Sequence, residues 1–533
     1  PPPKKLILSK EERLAASDAA FAALDAALAP PPPPLPPTVD VCIVGAGLAG
    51  LMIASRFDEA KAELLVLEKT HSAGGTWRHQ GNAFSRVNSS EPSYRLITRP
   101  HANTNHSYTG EVLADIRTAL QRHKLIERTY TNTEVHSVSK EDDGADGWLL
   151  RGVRRDAGAF ELRANTVILA TNRRLGRPRD ITYDGESVFG GKIYRGLAGD
   201  VNGLQCAGAR VVVLGMGAFA VENMRTSLEH GAAHATVLCR RRGTVCPQIV
   251  DWTNFVRGWD SNFKRDAAGD AIVFARWQKT YDYAGAARPE CWAEGKLKPD
   301  GHTVSTSDLF FLAHYYKLLR TTLGVVERCE PGVVVSSGGE QLHASVLIKC
   351  VGFEVNEANE RLLGRSHMFA TGLVEHNLFT MIESHLDARA FASPFGSSYL
   401  SGVAFNARLF VRYWQDQALA RRIAEATTMP KVRINTYAVA EYMTGLAELM
   451  ALDAGVPTLL REHVETMART FNETMSPAEY VAENEKLWDS VQKTLREAPT
   501  ADVSREWWSY PFADLFDELP DVDYTGARGG GAR

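Results

Sequence analysis

The chain has 533 residues, of which 23% are charged and 44% are hydrophobic, and these values are typical of soluble globular proteins. Sixty basic and 64 acidic side chains leave a net charge of -4, which excludes the overall basic charge that many nucleic-acid-binding proteins use. No apolar run approaches the roughly 18 residues that a membrane-spanning helix needs. We therefore expect two to four domains of roughly 100–200 residues, no nucleic-acid partner and no transmembrane segment.

The seven cysteines are scattered and never form a Cys-x-x-Cys pair, which argues against a disulfide framework, a zinc ribbon or a vicinal redox pair. The fifteen histidines show no metal-binding spacing, so we expect no metal site. Because the chain begins at Pro1 rather than Met, processing of the N-terminus is expected. The expected location is the cytoplasm, organellar targeting stays open, and a homo-oligomer is compatible with the sequence.

The N-terminal segment differs in composition from the rest of the chain. Ser9 and Glu12 have the spacing of a capping box, and the Ala-rich sequence after them predicts a helix over Ser9–Ala29. Seven prolines in Pro30–Pro37 predict a stiff, extended spacer. We favour a helix packed on the main body over a tether or a dimerisation arm.

A βαβ unit begins after this arm. The sequence predicts strands over Val39–Val44 and Glu63–Glu68, a helix over Leu48–Phe57 between them, and a further buried strand over Val167–Ala170. The loop before the helix reads G-A-G-L-A-G and matches the G-x-G-x-x-G motif. A dinucleotide site is favoured here over a glycine turn with only a structural role.

Each glycine of this motif has a physical role. Gly45 permits a tight turn, Gly47 lets the backbone approach a pyrophosphate, and Gly50 lets the helix pack closely on the strand. The pyrophosphate would lie at the helix N-terminus, where free N–H groups favour an anion. Glu68 ends the second strand, eighteen residues after Gly50, where a carboxylate can accept hydrogen bonds from ribose hydroxyls.

A second βαβ unit lies 170 residues further along the chain. The sequence predicts a strand over Arg210–Leu214, a helix over Val221–His230 and a strand over Ala235–Cys239. The loop between the first strand and the helix reads G-M-G-A-F-A, a second dinucleotide-binding motif. Its key positions are Gly215, Gly217 and Ala220.

Three arginines follow the last strand of this second unit. An acidic residue at this point would bind the free 2′-hydroxyl of NADH, whereas arginine pairs with the 2′-phosphate of NADPH through its planar fork of donors. Arg240 and Arg241 are therefore predicted to bind NADPH. A solvated run of charges at a loop edge is the alternative.

Residues 74–78, G-G-T-W-R, follow Glu68 and extend the first motif. An E-x(5)-G-G-x-W sequence after a first Rossmann unit resembles the FAD-binding start of the class B flavin-dependent monooxygenases, which include flavin-containing monooxygenases and Baeyer–Villiger enzymes. The resemblance implies FAD rather than NAD at the first site. The residues that it adds to the FAD site are Gly75, Thr76, Trp77 and Arg78.

The resemblance also implies residues near the flavin. The segment Arg86–Glu91 is similar to a family segment whose Asn lies near the reactive flavin carbon, so Asn88 is a candidate polar group there, with a surface turn as the alternative. Baeyer–Villiger enzymes carry an Asp that orients a catalytic Arg, and Arg86 occupies the matching position here. Asn88 and Arg86 are the candidate catalytic residues. Phe369–Gly372 resembles the last flavin-contacting strand, which implies that Gly372 approaches the flavin.

Two short segments are similar to the A-T-G sequence that the family often has at these points. Residues 170–172, A-T-N, and 350–353, C-V-G-F, each follow an apolar strand, and we interpret them as hinges. The family signature F-x-G-x-x-x-H before the second domain is altered, because Arg195 replaces the His. That difference argues against an ordinary Baeyer–Villiger enzyme.

The predicted fold class is α/β, with two Rossmann-like dinucleotide-binding domains, an N-terminal helical arm and a helical C-terminal region. The predicted boundaries are residues 1–37 for the helix and proline-rich arm, 38–205 and 336–425 for the two parts of the FAD domain, 206–335 for the NADPH domain with its aromatic-rich insertion, and 426–533 for the helical C-terminal region with its disordered tail.

The predicted function is NADPH- and O2-dependent monooxygenation of a small organic substrate, which the resemblance implies to proceed through a flavin C4a-hydroperoxide. A cysteine pair that could accept electrons from the flavin is missing from the sequence, so O2 is the natural acceptor. A nitrogen or sulfur atom is the preferred target because the Baeyer–Villiger residues are altered. The alternatives are Baeyer–Villiger oxidation of a ketone, a flavin-dependent halogenase, and an NADPH-dependent reductase or oxidase without oxygen insertion.

Overall fold

A computed structural model defines the elements of the chain. It describes residues 9–88, 106–140, 147–172, 175–246, 275, 278–292, 305–354, 356–364, 372–375, 377–380, 407, 410, 411 and 413–418. The helices are α1 (Lys10–Leu28), α2 (Leu48–Glu59), α3 (Thr76–His79), α4 (Thr109–Arg122), α5 (Ala218–Glu229), α6 (Asp308–Tyr315) and α7 (Ala358–Leu363).

The strands form two main sheets and two small ones. In chain order they are β1 (Thr38–Val44), β2 (Leu64–Leu67), β3 (Thr129–Tyr130), β4 (Thr133–Lys140), β5 (Trp148–Arg154), β6 (Gly158–Leu169), β7 (Lys192–Tyr194), β8 (Arg210–Leu214), β9 (His234–Cys239), β10 (Val245–Cys246), β11 (Ser305–Thr306), β12 (Leu319–Leu323), β13 (Val326–Glu330), β14 (Val333–Ser336), β15 (Gln341–His343), β16 (Val346–Lys349), β17 (Gly372–Glu375) and β18 (Leu378–Thr380).

The first unit is built on an eight-stranded sheet with the order β17-β18-β6-β1-β2-β3, to which β5 and β4 are added through β6. β1 runs parallel to both β2 and β6, and it is apolar almost throughout because a central parallel strand is covered on both faces. On one face, α2 buries Leu51, Ile53 and Phe57 in the main core. The other face packs a second cluster that includes Trp148 and Leu150.

The N-terminal helix α1 packs on this first unit, as the sequence predicted. Ser9 caps it, and the side chain of Glu12 closes the capping box. Leu24 and Leu28 enter the main core. α1 and α4 approach closely at Gly110, where an added Cβ would lie 3.3 Å from the Ser17 Cα.

The second unit is a five-stranded sheet with the order β12-β9-β8-β16-β7, and all of its strand pairs are parallel. This sheet includes β7 and β16, which the predicted boundaries at residues 206 and 336 placed in the first unit. The difference arises because β16 pairs directly with β8 and β7 pairs with β16, and such pairing between distant segments leaves no local signal in the sequence.

The two units are joined by two chain segments that lie side by side. Pro178 forms an antiparallel bridge with Phe353, and the Gly176 N–H donates to the Glu354 carbonyl oxygen at 3.0 Å. The side chain of Asn356 donates to the carbonyl oxygen of Asn172. The two segments that we interpreted as hinges therefore begin this double connection.

The predicted α/β class with two Rossmann-like units and a helical arm is confirmed. The observed strands and helices of both βαβ units lie within three residues of the predicted ones at each end, apart from the much longer β6. The predicted helical C-terminal region, residues 426–533, and about half of the aromatic-rich stretch 248–330 lie outside the described residues. Among the helices that are described, none is long and apolar enough to span a membrane.

Candidate functional site

The first glycine loop lies at the carboxyl end of β1, where α2 begins. Gly45 has a φ of +110°, and an added Cβ would lie 2.6 Å from the Ala170 carbonyl oxygen, so only glycine fits at this turn. A Cβ on Gly50 would lie 1.9 Å from the Gly45 carbonyl oxygen, which shows how closely the helix approaches the loop. Both glycines are required by the protein itself.

Gly47 differs from these two because it faces open space. An added Cβ would find only the Gly75 Cα, at 3.8 Å. Gly47 is the N-cap of α2 and provides no side-chain cap, so the first-turn N–H groups are available to an anion. A Cβ here would occupy the space that a pyrophosphate needs, and the loop therefore fits the phosphates of a dinucleotide.

Glu68 connects the end of the second strand to this loop. Its carboxylate is buried and accepts hydrogen bonds from the backbone N–H of Ala46 at 2.9 Å and from the N–H and hydroxyl of Thr70 at 2.9 and 2.8 Å. A carboxylate has about four acceptor positions, so capacity remains for a ribose hydroxyl. Glu68 thus orders the loop, and its contact with a ribose stays a prediction.

The G-G-T-W-R segment lies directly beside the first loop. A Cβ on Gly75 would come within 3.0 Å of the Gly47 Cα, so the two glycine segments touch. The Thr76 hydroxyl accepts a hydrogen bond from the Asn172 side chain at 3.0 Å, and Trp77 packs against the main core. Of the predicted FAD residues, Gly75, Thr76 and Trp77 therefore lie together with Gly47.

Arg78 and Gly372 occupy other positions. Arg78 forms a two-point ion pair with Asp25 of α1, with distances of 3.0 and 2.6 Å, so its charge is engaged by the N-terminal helix. Gly372 begins β17 and pairs with Thr380, and Thr380 in turn pairs with Leu169 at the end of β6. Their predicted contacts with a flavin remain predictions.

The second glycine loop repeats the geometry of the first. Gly215 has a φ of +97°, and an added Cβ would lie 2.4 Å from the Cys350 carbonyl oxygen. A Cβ on Gly217, the N-cap of α5, would meet no atom within 4 Å. Ala220 is buried at the third position. This loop also leaves room for phosphates at a helix N-terminus.

Of the three arginines after β9, one is ion-paired with a carboxylate and two are exposed. Arg242 is held by Glu290, whose carboxylate accepts from the Arg242 backbone N–H at 2.8 Å and from its guanidinium. Arg240 and Arg241 are exposed. Because the Gly215 N–H donates to the carbonyl oxygen of Leu238, these arginines lie at the same sheet edge as the second loop. Their position is compatible with a 2′-phosphate.

The two candidate catalytic residues lie between the units. The Asn88 side-chain oxygen accepts from the Thr306 backbone N–H at 2.6 Å, which joins it to the strand β11. The Arg86 guanidinium pairs with Glu229 of α5 at 3.0 Å and stacks over the Tyr108 ring. Arg86 therefore binds the second-unit helix α5, and Asn88 binds β11, whose partner strand β10 packs in the core of the second unit. Neither residue lies within 4 Å of a Cβ added at Gly47.

Sequence reasoning missed a cluster of charges on α5. Glu222, Arg225 and Glu229 recur at intervals of three and four residues, which places them on one face of a helix, and this spacing was the available signal. Glu222 accepts from the Ser85 hydroxyl at 2.7 Å and from the Arg86 backbone N–H at 3.3 Å. Burial raises the pKa of Glu222, and the Arg225 charge opposes that rise.

No metal or redox-active cysteine centre is found in the part of the chain that the structure describes. No group of three or more potential ligand side chains is present there. The six described cysteines are free thiols, and burial raises the pKa of Cys239 to about 12 and of Cys206 to about 11.

Comparison with known proteins finds similarity to a family model that covers both glycine loops and to curated monooxygenases. Residues 39–251 match the family model described as pyridine nucleotide-disulphide oxidoreductase. The chain is 27% identical to FAD-binding monooxygenase VdtE of Byssochlamys spectabilis over 46% of this chain and 43% of that protein. It is 30% identical to a Baeyer-Villiger monooxygenase of Pseudomonas aeruginosa over 34% of each chain. The chain thus matches less than half the length of these curated relatives.

Solved structures share the fold at low sequence identity. An open crystal structure of cyclohexanone monooxygenase superposes with a TM-score of 0.53 and 18% identity, covering 82% of this chain and 98% of that chain. Oxidized steroid monooxygenase bound to NADP gives the same TM-score and coverage at 16% identity. The chain therefore shares the fold of these monooxygenase structures, and over part of its length it is similar in sequence to FAD-binding and Baeyer-Villiger monooxygenases.

Proposed function

We propose that the chain binds FAD at the first glycine loop and NADPH at the second, and that it catalyses NADPH- and O2-dependent monooxygenation of a small organic substrate. The observation that carries this proposal is the repeated geometry of the two loops. Gly47 and Gly217 each face open space at an uncapped helix N-terminus. Two such sites in one chain would bind NADPH as the hydride donor and FAD as the hydride acceptor.

The residues of the first unit would hold FAD. The α2 N-terminus would bind its pyrophosphate, Glu68 would accept from the ribose, and the Thr76 hydroxyl would donate to a phosphate because Asn172 already donates to its oxygen. The bound flavin supplies the chemistry of hydride acceptance and oxygen activation. The task of the chain is to orient this group and to exclude water.

The residues of the second unit would hold NADPH. The α5 N-terminus would bind the pyrophosphate, and exposed Arg240 and Arg241 would pair with the 2′-phosphate. Arg242 would contribute less to binding of the 2′-phosphate, because its charge is paired with Glu290. The arrangement favours NADPH over NADH, since no acidic side chain occupies the position that would bind a free 2′-hydroxyl.

For the oxygenated atom we propose a nitrogen or a sulfur. Arg86, at the position of the Baeyer–Villiger Asp in the family resemblance, is paired with Glu229 and its side chain is only 6% exposed. A soft nucleophile needs little assistance from the protein in accepting an electrophilic oxygen. Baeyer–Villiger oxidation of a ketone is the second candidate, because relatives named Baeyer-Villiger monooxygenase match this chain.

Isotope labelling tests both the proposed monooxygenation and the proposed target atom. Purified protein with NADPH is incubated under ¹⁸O₂ with panels of amines, sulfides and ketones, and the products are analysed by mass spectrometry. Incorporation of a single labelled oxygen atom establishes monooxygenation, and the product class, N-oxide, sulfoxide or ester, identifies the target atom. NADPH consumption that yields only hydrogen peroxide with every panel would contradict the proposal and favour an oxidase.

A further inference from the structure

The segment Phe84–Asn88 belongs to the first unit in sequence, but the second unit binds it at both ends. At one end, the Arg225 guanidinium donates to the Phe84 carbonyl oxygen at 3.2 Å, and Glu222 accepts from Ser85 and from the Arg86 N–H. At the other end, Asn88 binds Thr306 of β11. The segment is therefore held between two elements of the second unit.

The charges that hold this segment are removed from water. The side chains of Arg86 and Glu229 are 6% and 12% exposed, and that of Arg225 is 7% exposed. Buried ion pairs contribute little net stability, because the cost of desolvation offsets the attraction, but breaking one leaves a costly unpaired charge. Such a cluster is best explained by a defined geometry rather than by stability alone.

α5 connects this cluster to the second glycine loop. The helix begins after Gly217, where the phosphates of NADPH would bind, and Glu222 lies five residues further along. A helix rises about 1.5 Å per residue, so Glu222 lies about 7.5 Å, or roughly one and a half turns, from the binding loop on the same helix. Through Glu222, this helix is hydrogen-bonded to Ser85 and to the Arg86 backbone.

We propose that Glu222 is a positioning residue that couples the nicotinamide site to the Phe84–Asn88 segment, on which the candidate catalytic residue Asn88 lies. The carboxylate holds the segment by two hydrogen bonds, one from the Ser85 hydroxyl and one from the Arg86 backbone N–H. This inference rests on the proposed function, since it assumes that NADPH binds at α5.

The test compares Glu222→Ala with the FAD-loaded wild-type protein. We expect NADP+ to bind both proteins with dissociation constants within about twofold, as measured by titration calorimetry. We expect the rate constant of flavin reduction at saturating NADPH to fall about tenfold or more, because a displacement near 1 Å can cost a factor of about 100. The change that bound NADP+ causes in the visible spectrum of the flavin should also be lost.

Matched variants separate a positioning role of Glu222 from an effect of its substitution on folding. Ser227→Ala lies on the same helix and removes only a hydrogen bond to the Asn223 carbonyl oxygen within α5, so it should leave all three quantities unchanged. Glu222→Gln keeps an acceptor for Ser85 and should recover part of the reduction rate. Ser85→Ala removes the partner hydroxyl from the first unit and should slow reduction in the same direction, even where Glu222→Ala folds poorly.

The outcomes are distinct. If wild-type protein binds neither FAD nor NADP+, the proposed function fails. If both nucleotides bind but Glu222→Ala and Ser85→Ala reduce the flavin at the wild-type rate and keep the NADP+-induced spectral change, the coupling role of Glu222 is wrong while the proposed function stands.

Discussion

Asn88 and Thr306 are 218 positions apart in the sequence, yet they are joined by two hydrogen bonds. The Thr306 backbone N–H donates to the Asn88 side-chain oxygen at 2.6 Å, and the Thr306 hydroxyl donates to the Asn88 carbonyl oxygen at 3.0 Å. Thr306 belongs to β11, which pairs with β10 just after the arginine run. Asn88 therefore ties its own segment to the unit that would bind NADPH.

This relationship gives a prediction with two substitutions. Asn88→Ala removes the acceptor for the Thr306 N–H, so we expect slower product formation and more hydrogen peroxide per NADPH consumed. Asn88→Asp keeps that acceptor but loses the amide donors. If Asn88 acts only by holding Thr306, Asn88→Asp should behave as the wild type. If its amide group acts beside the flavin, Asn88→Asp should resemble Asn88→Ala.

The rate of product formation and the hydrogen peroxide released per NADPH come from one assay, in which NADPH, product and peroxide are measured together. Unchanged values for Asn88→Ala would contradict a role for this residue in the reaction.

Gly217 provides a prediction about the second nucleotide site. An added Cβ would meet no protein atom within 4 Å, so Gly217→Ala should fold normally with an unchanged melting temperature. The methyl group would occupy phosphate space, and we expect the NADPH dissociation constant to rise about tenfold or more, equivalent to about 1.4 kcal/mol. Gly203→Ala, where a Cβ also meets no atom within 4 Å, is the matched control. Equal NADPH affinity in all three proteins would place the nucleotide elsewhere.

The glycine loops could be predicted from sequence because their geometry is local. The turn at Gly45, the helix after Gly47 and the strand before Glu68 all lie within 24 residues, and each residue type follows from the contacts of its own backbone. The N-terminal helix was predictable for the same reason, since Ser9 and Glu12 form their capping box three residues apart.

The contacts between the units could not be predicted in this way. Ser85 and Glu222 are 137 positions apart, and Asp25 and Arg78 are 53 apart. The charge spacing on α5 marks a polar face, but an exposed face with the same spacing is far more common on helices. Only the packing of the two sheets decides that this face is covered, and one sequence does not specify that packing.

The arginine run makes a prediction about cofactor choice. Arg240 is exposed at the sheet edge of the second loop, whereas Arg242 is paired with Glu290. We expect Arg240→Ala to raise the KM for NADPH about 10- to 100-fold, the loss expected for a hydrogen bond between charged groups, and to leave the KM for NADH nearly unchanged. Arg242→Ala should change the preference for NADPH over NADH much less. Steady-state kinetics with both cofactors tests this, and an unaltered ratio of the two KM values in Arg240→Ala would refute it.

His230 makes a prediction about acid stability. Its ring packs edge-on against Phe84 with 4.4 Å between ring centres, and burial lowers the pKa of His230 to about 4 from an ordinary 6.5, helped by the Lys10 charge and opposed by Glu11. Between these two pH values the unfolded chain binds a proton that the folded chain excludes. Stability is therefore complete above about pH 6.5 and falls as the pH drops toward 4, by roughly 2 kcal/mol at pH 5.

His230→Phe keeps an aromatic ring against Phe84 but cannot take up a proton. We expect this variant to lose less stability than the wild type between pH 7 and pH 5, as measured by chemical unfolding at both values. Some acid loss should remain, because burial also lowers the pKa of His314 to about 4. His136→Gln replaces an exposed histidine and serves as the control. An identical loss of stability in wild type and His230→Phe would show that His230 is protonated in the folded protein at pH 5, and that its contact with Phe84 does not exclude the charge.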